Sequence, residues 1–130
     1  MIIKHLLGPS QKTFWIAFLW TILIVYFSFK TPKAAPQIDF LFADKLVHFS
    51  FYFGFVFLWY GYFYFKNRLA TNTKVTLVIA AIVMGSVIEL GQGFLTVNRQ
   101  ADVFDAIANA MGAISGIGIA NAFFKKFYSE

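Results

Sequence analysis

Glu89–Asn109 reads ELGQGFLTVNRQADVFDAIAN, and its polar residues lie between two apolar runs. The run that begins at Val75 admits a carboxylate at Glu89 and an amide at Gln92, turns through Asn98 and Arg99, and re-enters apolar sequence carrying Asp102, Asp105 and Asn109. Ionisable groups in membrane-like sequence are costly when they face lipid, so they face protein, trapped water or one another. The stretch therefore predicts the end of one helix, a turn, and the start of a second helix packed polar face to polar face.

The surrounding composition fixes the solvent. Of 130 residues, 59% are hydrophobic, 13% are charged and 18 are Phe, more apolar surface than a small water-soluble core can hide. Lys and Arg number 11 against 6 Asp and Glu, giving a net charge of +5. These basic residues fall in short connections between apolar runs, where they orient helices in a bilayer rather than bind nucleic acid. With no cysteine, disulfides, thiol catalysis and thiolate metal sites are excluded.

Working outward, the pattern predicts an all-α polytopic membrane protein, a four-helix transmembrane bundle forming one domain over 1–130, with helices over 13–29, 44–65, 75–95 and 102–124. Residues 13–29 carry no charge and are interrupted by Thr21 and Ser28. Their length exceeds the roughly 7 to 15 residues of a signal-peptide core, which argues for a retained helix over cleavage near Ala34-Ala35. Lys30 to Ala43, with Pro32 and Pro36, reads as a loop. Asp44 to Phe65 reads DKLVHFSFYFGFVFLWYGYFYF, roughly 33 Å as a helix and long enough to cross a hydrocarbon core. Trp59, Tyr60, Tyr62 and Tyr64 near its far end fit an interfacial aromatic belt better than a lipid-tail groove, and Trp15 fits the same belt.

Charge assigns the sides. The N-terminal lead, the 66–74 connection and the C-terminal tail hold Lys4, Lys12, Lys66, Arg68, Lys74, Lys125 and Lys126, whereas the opposite side holds Lys30, Lys33, Lys45 and Arg99. Seven against four places both termini in the cytoplasm. Asp39, Asp44, Glu89, Asp102 and Asp105 then lie toward the outer face.

Helical spacing draws these groups together. Asp44, His48 and Tyr52, four residues apart, form one stripe. Gly85, Glu89, Gln92 and Gly93 form a second, and Asp102, Asp105, Asn109, Gly112 and Gly116 a third. Glu89 lies roughly 21 Å beyond Val75, level with the other two stripes. Gly85, Gly93 and the Gly112-x-x-x-Gly116 pair remove side chains where helices approach closely.

The cluster has three chemical uses. Asp44 beside His48, with Glu89 and Asp105, suits general acid and base chemistry, which makes His48, Glu89 and Asp105 the candidate catalytic residues. Arg99, with Lys45, offers an anion contact, and Asp44, Lys45, Tyr52, Gln92, Arg99, Asp102 and Asn109 are the candidate ligand-binding residues. His48 with Glu89 and Asp105 could hold a divalent metal assembled across helices, although the sequence does not require one. Against these stands a purely structural network, with Arg99 paired to Asp102 or Asp105, Asp102 capping the last helix, and His48 bonded to a backbone carbonyl.

The ordered set Asp44-Lys45-x-x-His48-Phe49-x-x-Tyr52, Glu89-x-x-Gln92, Arg99 and Asp102-x-x-Asp105-x-x-x-Asn109-x-x-Gly112 resembles the VanZ-like family of small bacterial membrane proteins. The resemblance implies a four-helix protein of the bacterial inner (cytoplasmic) membrane, in a family whose named member is linked to low-level resistance to the glycopeptide teicoplanin. It carries no biochemical mechanism with it. The partners expected are the lipid bilayer and an anionic envelope component, such as a lipid-linked cell-wall precursor, a phospholipid headgroup or the glycopeptide. An enzyme transferring or hydrolysing a phosphoryl or acyl group on an envelope lipid, and a non-catalytic adaptor for another membrane protein, are the alternatives.

Overall fold

The computed structural model describes residues 9–30, 43–95 and 102–129. They form four helices: α1 (Pro9–Phe29), α2 (Ala43–Phe65), α3 (Thr71–Leu95) and α4 (Val103–Tyr128), with no strand among the described residues. All four are long and apolar enough to cross a membrane. The shortest, at 21 residues, spans about 31 Å, close to a hydrocarbon thickness of about 30 Å. Large apolar side chains such as Val87, Phe94, Phe104, Met111 and Ile114 point outward. In water this surface would drive aggregation; in lipid it is the solvent-facing surface.

Helix boundaries follow local chemistry. α1 opens on Pro9, at a first-turn position where the missing N–H costs nothing. α2 closes through Asn67, whose φ of 55° is left-handed. The Arg68 amide donates to the Phe63 carbonyl and the Asn67 amide to the Tyr64 carbonyl, both at 3.0 Å, the paired bonds of a Schellman cap. The Thr73 hydroxyl then accepts from the Ala70 amide and donates to the Arg68 carbonyl. This tight turn lets α3 begin at Thr71, four residues before the expected start, and puts Lys74 inside the helix rather than in the connection. α4 runs to Tyr128, four residues beyond expectation, with Lys125 and Lys126 in its last turn, where positive charge suits the helix dipole.

α2 and α4 make the most extensive interface, and two glycines permit it. A Cβ on Gly112 would collide with the Phe49 carbonyl, and one on Gly116 would come within 2.9 Å of the Phe53 carbonyl. The four-residue spacing on α4 thus matches a four-residue spacing on α2, and the backbones meet without intervening side chains. α1 lies at the periphery, with only Ala17, Ile24 and Ser28 buried. It is held to α2 by Trp20, whose indole N–H donates to the Phe51 carbonyl at 2.9 Å and whose ring lies over Gly54. Trp59 returns the bond, donating to the Thr21 hydroxyl at 3.1 Å.

The chain ends of the bundle come together. Phe14 of α1 meets Trp59 and Tyr62 of α2, and Tyr128 of α4 meets Tyr64 and Phe65. The start of α1 and the end of α4 are therefore at the same end. The belt reading needs correction here for Tyr60. It is 2% exposed, packs on Phe124 and donates its hydroxyl to Asn121 Oδ1 at 2.9 Å, so it belongs to the core rather than to the membrane interface.

Candidate functional site

At the opposite end, the first turns of α2 and α4 and the last turns of α1 and α3 converge. α4 begins at Asp102, whose backbone is extended and whose Oδ1 accepts the Phe104 amide at 2.8 Å. Asp102 is thus the N-cap that one sequence reading anticipated. Its second oxygen, Oδ2, accepts from Lys45 Nζ at 2.8 Å, so the capping residue also ties α4 to α2.

Lys45 links three carboxylates. It donates to Asp102, to Asp105 Oδ1 and, at 3.5 Å, to Asp44. The Lys45 hydrogen bond, followed by the Phe104 amide, holds the Asp102 carboxyl below its ordinary value of 3.8. The ammonium is therefore largely occupied by the protein itself, and little of its charge remains for an external anion.

His48 is buried one turn deeper. Its Nδ1 lies 3.0 Å from Asn109 Oδ1. An amide oxygen only accepts, so Nδ1 carries the proton and donates. Asn109 is placed by Gly85 on α3, where a Cβ would come within 2.9 Å of the Asn109 amide nitrogen. His48 Nε2 then faces Asp105 Oδ2 at 3.4 Å and Asp44 Oδ1 at 3.7 Å.

Glu89 approaches from α3 and is 5% exposed. Among the described residues neither of its carboxylate oxygens has a hydrogen-bond partner of normal geometry. The polar groups acting on it are the Asp105 carboxyl and both the backbone amide and the carboxyl of Asp102. Tyr52 is buried beneath the cluster, its ring against Gly85 and within electrostatic reach of Glu89. Gln92 turns toward α1 and donates to the Ser28 carbonyl at 2.6 Å, satisfying one of the carbonyls that a helix end leaves open.

The structure thus gathers Asp44, Lys45, His48, Glu89, Asp102, Asp105 and Asn109 into one cluster, with Tyr52 below it and Gln92 at its α1 side. Arg99 lies outside the described residues. Sequence reasoning missed the part played by α1. A cavity of about 270 Å³ opens where the end of α1 meets the start of α2, lined by Phe27, Ser28, Asp44, Val47, His48 and Phe51. The available signal was Ser28, a polar interruption in the final turn of an otherwise apolar helix.

Within the described cluster Asp44, Glu89, Asp102 and Asp105 supply four carboxylates, against Lys45 and His48. Such an arrangement can exchange protons, bind a cation, or bind an anion through a positive bridge. No curated protein and no solved structure matches the chain. The model of one family, VanZ/LLP1, matches residues 6–125, spanning all four helices and the whole cluster. With that match over most of its length, this multi-pass membrane protein belongs to the VanZ/LLP1 family.

Proposed function

We propose that this VanZ/LLP1 protein sits in the bacterial cytoplasmic membrane with both termini inside, recognises the anionic head of an envelope amphiphile at the outer end of its bundle, and through that contributes to glycopeptide (teicoplanin) resistance. The amphiphile is a lipid-linked cell-wall precursor, a phospholipid or the glycopeptide itself. The observation that carries this reading is the α1–α2 cavity. Phe27, Val47 and Phe51 give it apolar walls, and Asp44 and His48 give it a polar floor. That division suits an amphiphile, its tail against the apolar walls and its head at the polar end, where the charge of an anionic head needs a cation beyond the Asp44 carboxylate.

Lys45 is held by Asp102 and Asp105, so the anion contact falls to Arg99, which the sequence places three residues before Asp102. The test is binding of a polyprenyl pyrophosphate to the purified protein in lipid nanodiscs, with the neutral polyprenol as control. Val47→Trp, which fills the cavity from an already exposed position, weakens pyrophosphate binding at least tenfold. Arg99→Ala does the same and removes the preference over the neutral alcohol. Wild-type binding by both variants would sink the proposal.

A catalytic reading has its own observation, His48 Nε2 set between two carboxylates at the cavity floor. It proposes hydrolysis or transfer of a phosphoryl or acyl group on the same amphiphile, with His48 or Glu89 exchanging the proton. His48→Gln then abolishes turnover of the lipid while its binding persists. Failure of the wild-type protein to consume the lipid with any divalent metal present removes this second reading.

A further inference from the structure

We infer that Asp44, His48 and Asp105 form a binding site for a single first-row divalent cation, of which zinc is the representative. This deepens the proposed recognition of an anionic head, because it supplies a positive charge in addition to Lys45, which Asp102 and Asp105 already hold.

The first observation is geometric. His48 Nε2, one oxygen of Asp44 and one of Asp105 all lie within 4.8 Å of one another. The two distances from Nε2 are 3.4 and 3.7 Å. Nitrogen and oxygen ligands at about 2.0–2.1 Å from a tetrahedral zinc stand about 3.3–3.4 Å apart, so drawing the three groups together closes the set around an ion.

The second is the state of the imidazole. Asn109 Oδ1 accepts from Nδ1, which leaves Nε2 directed at two carboxylate oxygens. A nitrogen facing two carboxylates needs a cation between them, and a divalent ion coordinated by all three fills that place. A ligating histidine characteristically donates its other N–H to an oxygen, as His48 does to Asn109. Lys45 occupies Asp105 Oδ1 and leaves Oδ2 facing the histidine, which orients the second ligand in the same way.

The third observation is independent of this triad. Glu89 is buried, and among the described residues neither carboxylate oxygen has a hydrogen-bond partner, although Asp105 acts on it directly. A buried carboxyl beside a second carboxyl is neutralised by a shared proton or by a cation nearby, and an ion on Asp105 supplies the second. Imidazole nitrogen among the donors favours zinc, iron, nickel or copper over magnesium or calcium. The cavity side of Asp44 and His48 stays open to the headgroup, so the ion can bridge protein and anion.

The test is metal binding by the full-length protein in detergent micelles, stripped with EDTA, dialysed against zinc and analysed by mass spectrometry, with no lipid added. The wild-type protein takes up one zinc per chain, and His48→Gln and Asp105→Asn weaken uptake at least a hundredfold. Because those two substitutions fall at buried positions, Asp44→Asn serves as the second variant. Its side chain is 57% exposed, and it weakens binding about tenfold with an unchanged circular dichroism spectrum. Cobalt in place of zinc gives a visible absorption band that disappears in Asp44→Asn. Equal zinc uptake by wild type and Asp44→Asn overturns the inference. So does a His48 ring carrying protons on both nitrogens at pH 7.5 in the presence of saturating zinc, read by nitrogen NMR. Zinc binding with no pyrophosphate binding overturns the recognition proposal and leaves the cation site standing.

Discussion

Asp102 performs two tasks with its two oxygens, one inside α4 and one across to α2, and this makes its protonation state a structural variable. Its folded-state carboxyl lies below the ordinary 3.8 because Lys45 and then the Phe104 amide favour the charged form. A depressed carboxylate stabilises the fold fully above its unfolded value, and that contribution is lost as pH falls through the lower folded value. Acid unfolding of the wild-type protein in micelles therefore steepens just below pH 3.8, and Asp102→Asn flattens that limb while leaving the neutral-pH spectrum unchanged. An identical acid limb in the variant would show that the Lys45 contact does not form in solution. Glu89 presents the opposite case. A buried carboxyl beside a second carboxyl is costly in its charged form, so Glu89→Gln, which is neutral and can donate to Asp105, raises the thermal midpoint of the metal-free protein. Added zinc narrows the difference, because the ion neutralises the wild-type carboxylate. A midpoint that falls in Glu89→Gln would refute the reading of Glu89 as an uncompensated charge.

At the scale of the helix, the α2–α4 pair depends on Gly112 and Gly116 meeting the backbone at Phe49 and Phe53. Gly112→Val forces the helices apart, and with them His48 and Asn109, which bond across this interface one turn from the contact. The expected result is loss of a monodisperse peak in size-exclusion chromatography, whereas the same change at Gly118, where a Cβ meets nothing within 4 Å, leaves the peak intact. These contacts also show what could be read from sequence. The polar stripes on α2, α3 and α4 were legible because an ionisable group in an apolar run carries its own signal, and 3.6-residue periodicity places it on a face. The capping role of Asp102 was legible for the same reason. Three features were not. The site's opening toward α1 depends on how α1 leans on α2 through Trp20 and Gly54, a contact between two residues without charge or periodic signature. The early start of α3 depends on Asn67 adopting a left-handed conformation and Thr73 reaching back, which a basic loop composition conceals. The burial of Tyr60 depends on Asn121, a lone amide twelve residues after Asn109 that accepts from both Tyr60 and Lys74. A tyrosine near a helix end has two destinations, the interface or the core, and only a partner on another helix decides between them.

For the whole molecule, the two ends differ in chemistry, and the proposal depends on which end faces out. One end joins the start of α1, the α2–α3 turn and the end of α4, with a core of Tyr60, Leu77, Ala120 and Phe124. The other carries the carboxylate cluster and the cavity. Of the basic residues, seven fall at the first end and four at the second in the sequence, a bias that supports the proposal of a cytoplasmic first end. The absence of native cysteine makes the arrangement directly measurable. Ser129→Cys, beyond the end of α4, stays unlabelled by a membrane-impermeant maleimide in intact bacterial spheroplasts and becomes labelled after lysis. Thr96→Cys, in the connection between α3 and α4, is labelled in intact spheroplasts. The reverse pattern would put the cluster in the cytoplasm, where it could not meet an external glycopeptide, and would restrict its ligand to an anionic amphiphile of the inner leaflet. Because the cation site is built from contacts within one end of the bundle, it is unaffected by that result; topology decides which leaflet it serves.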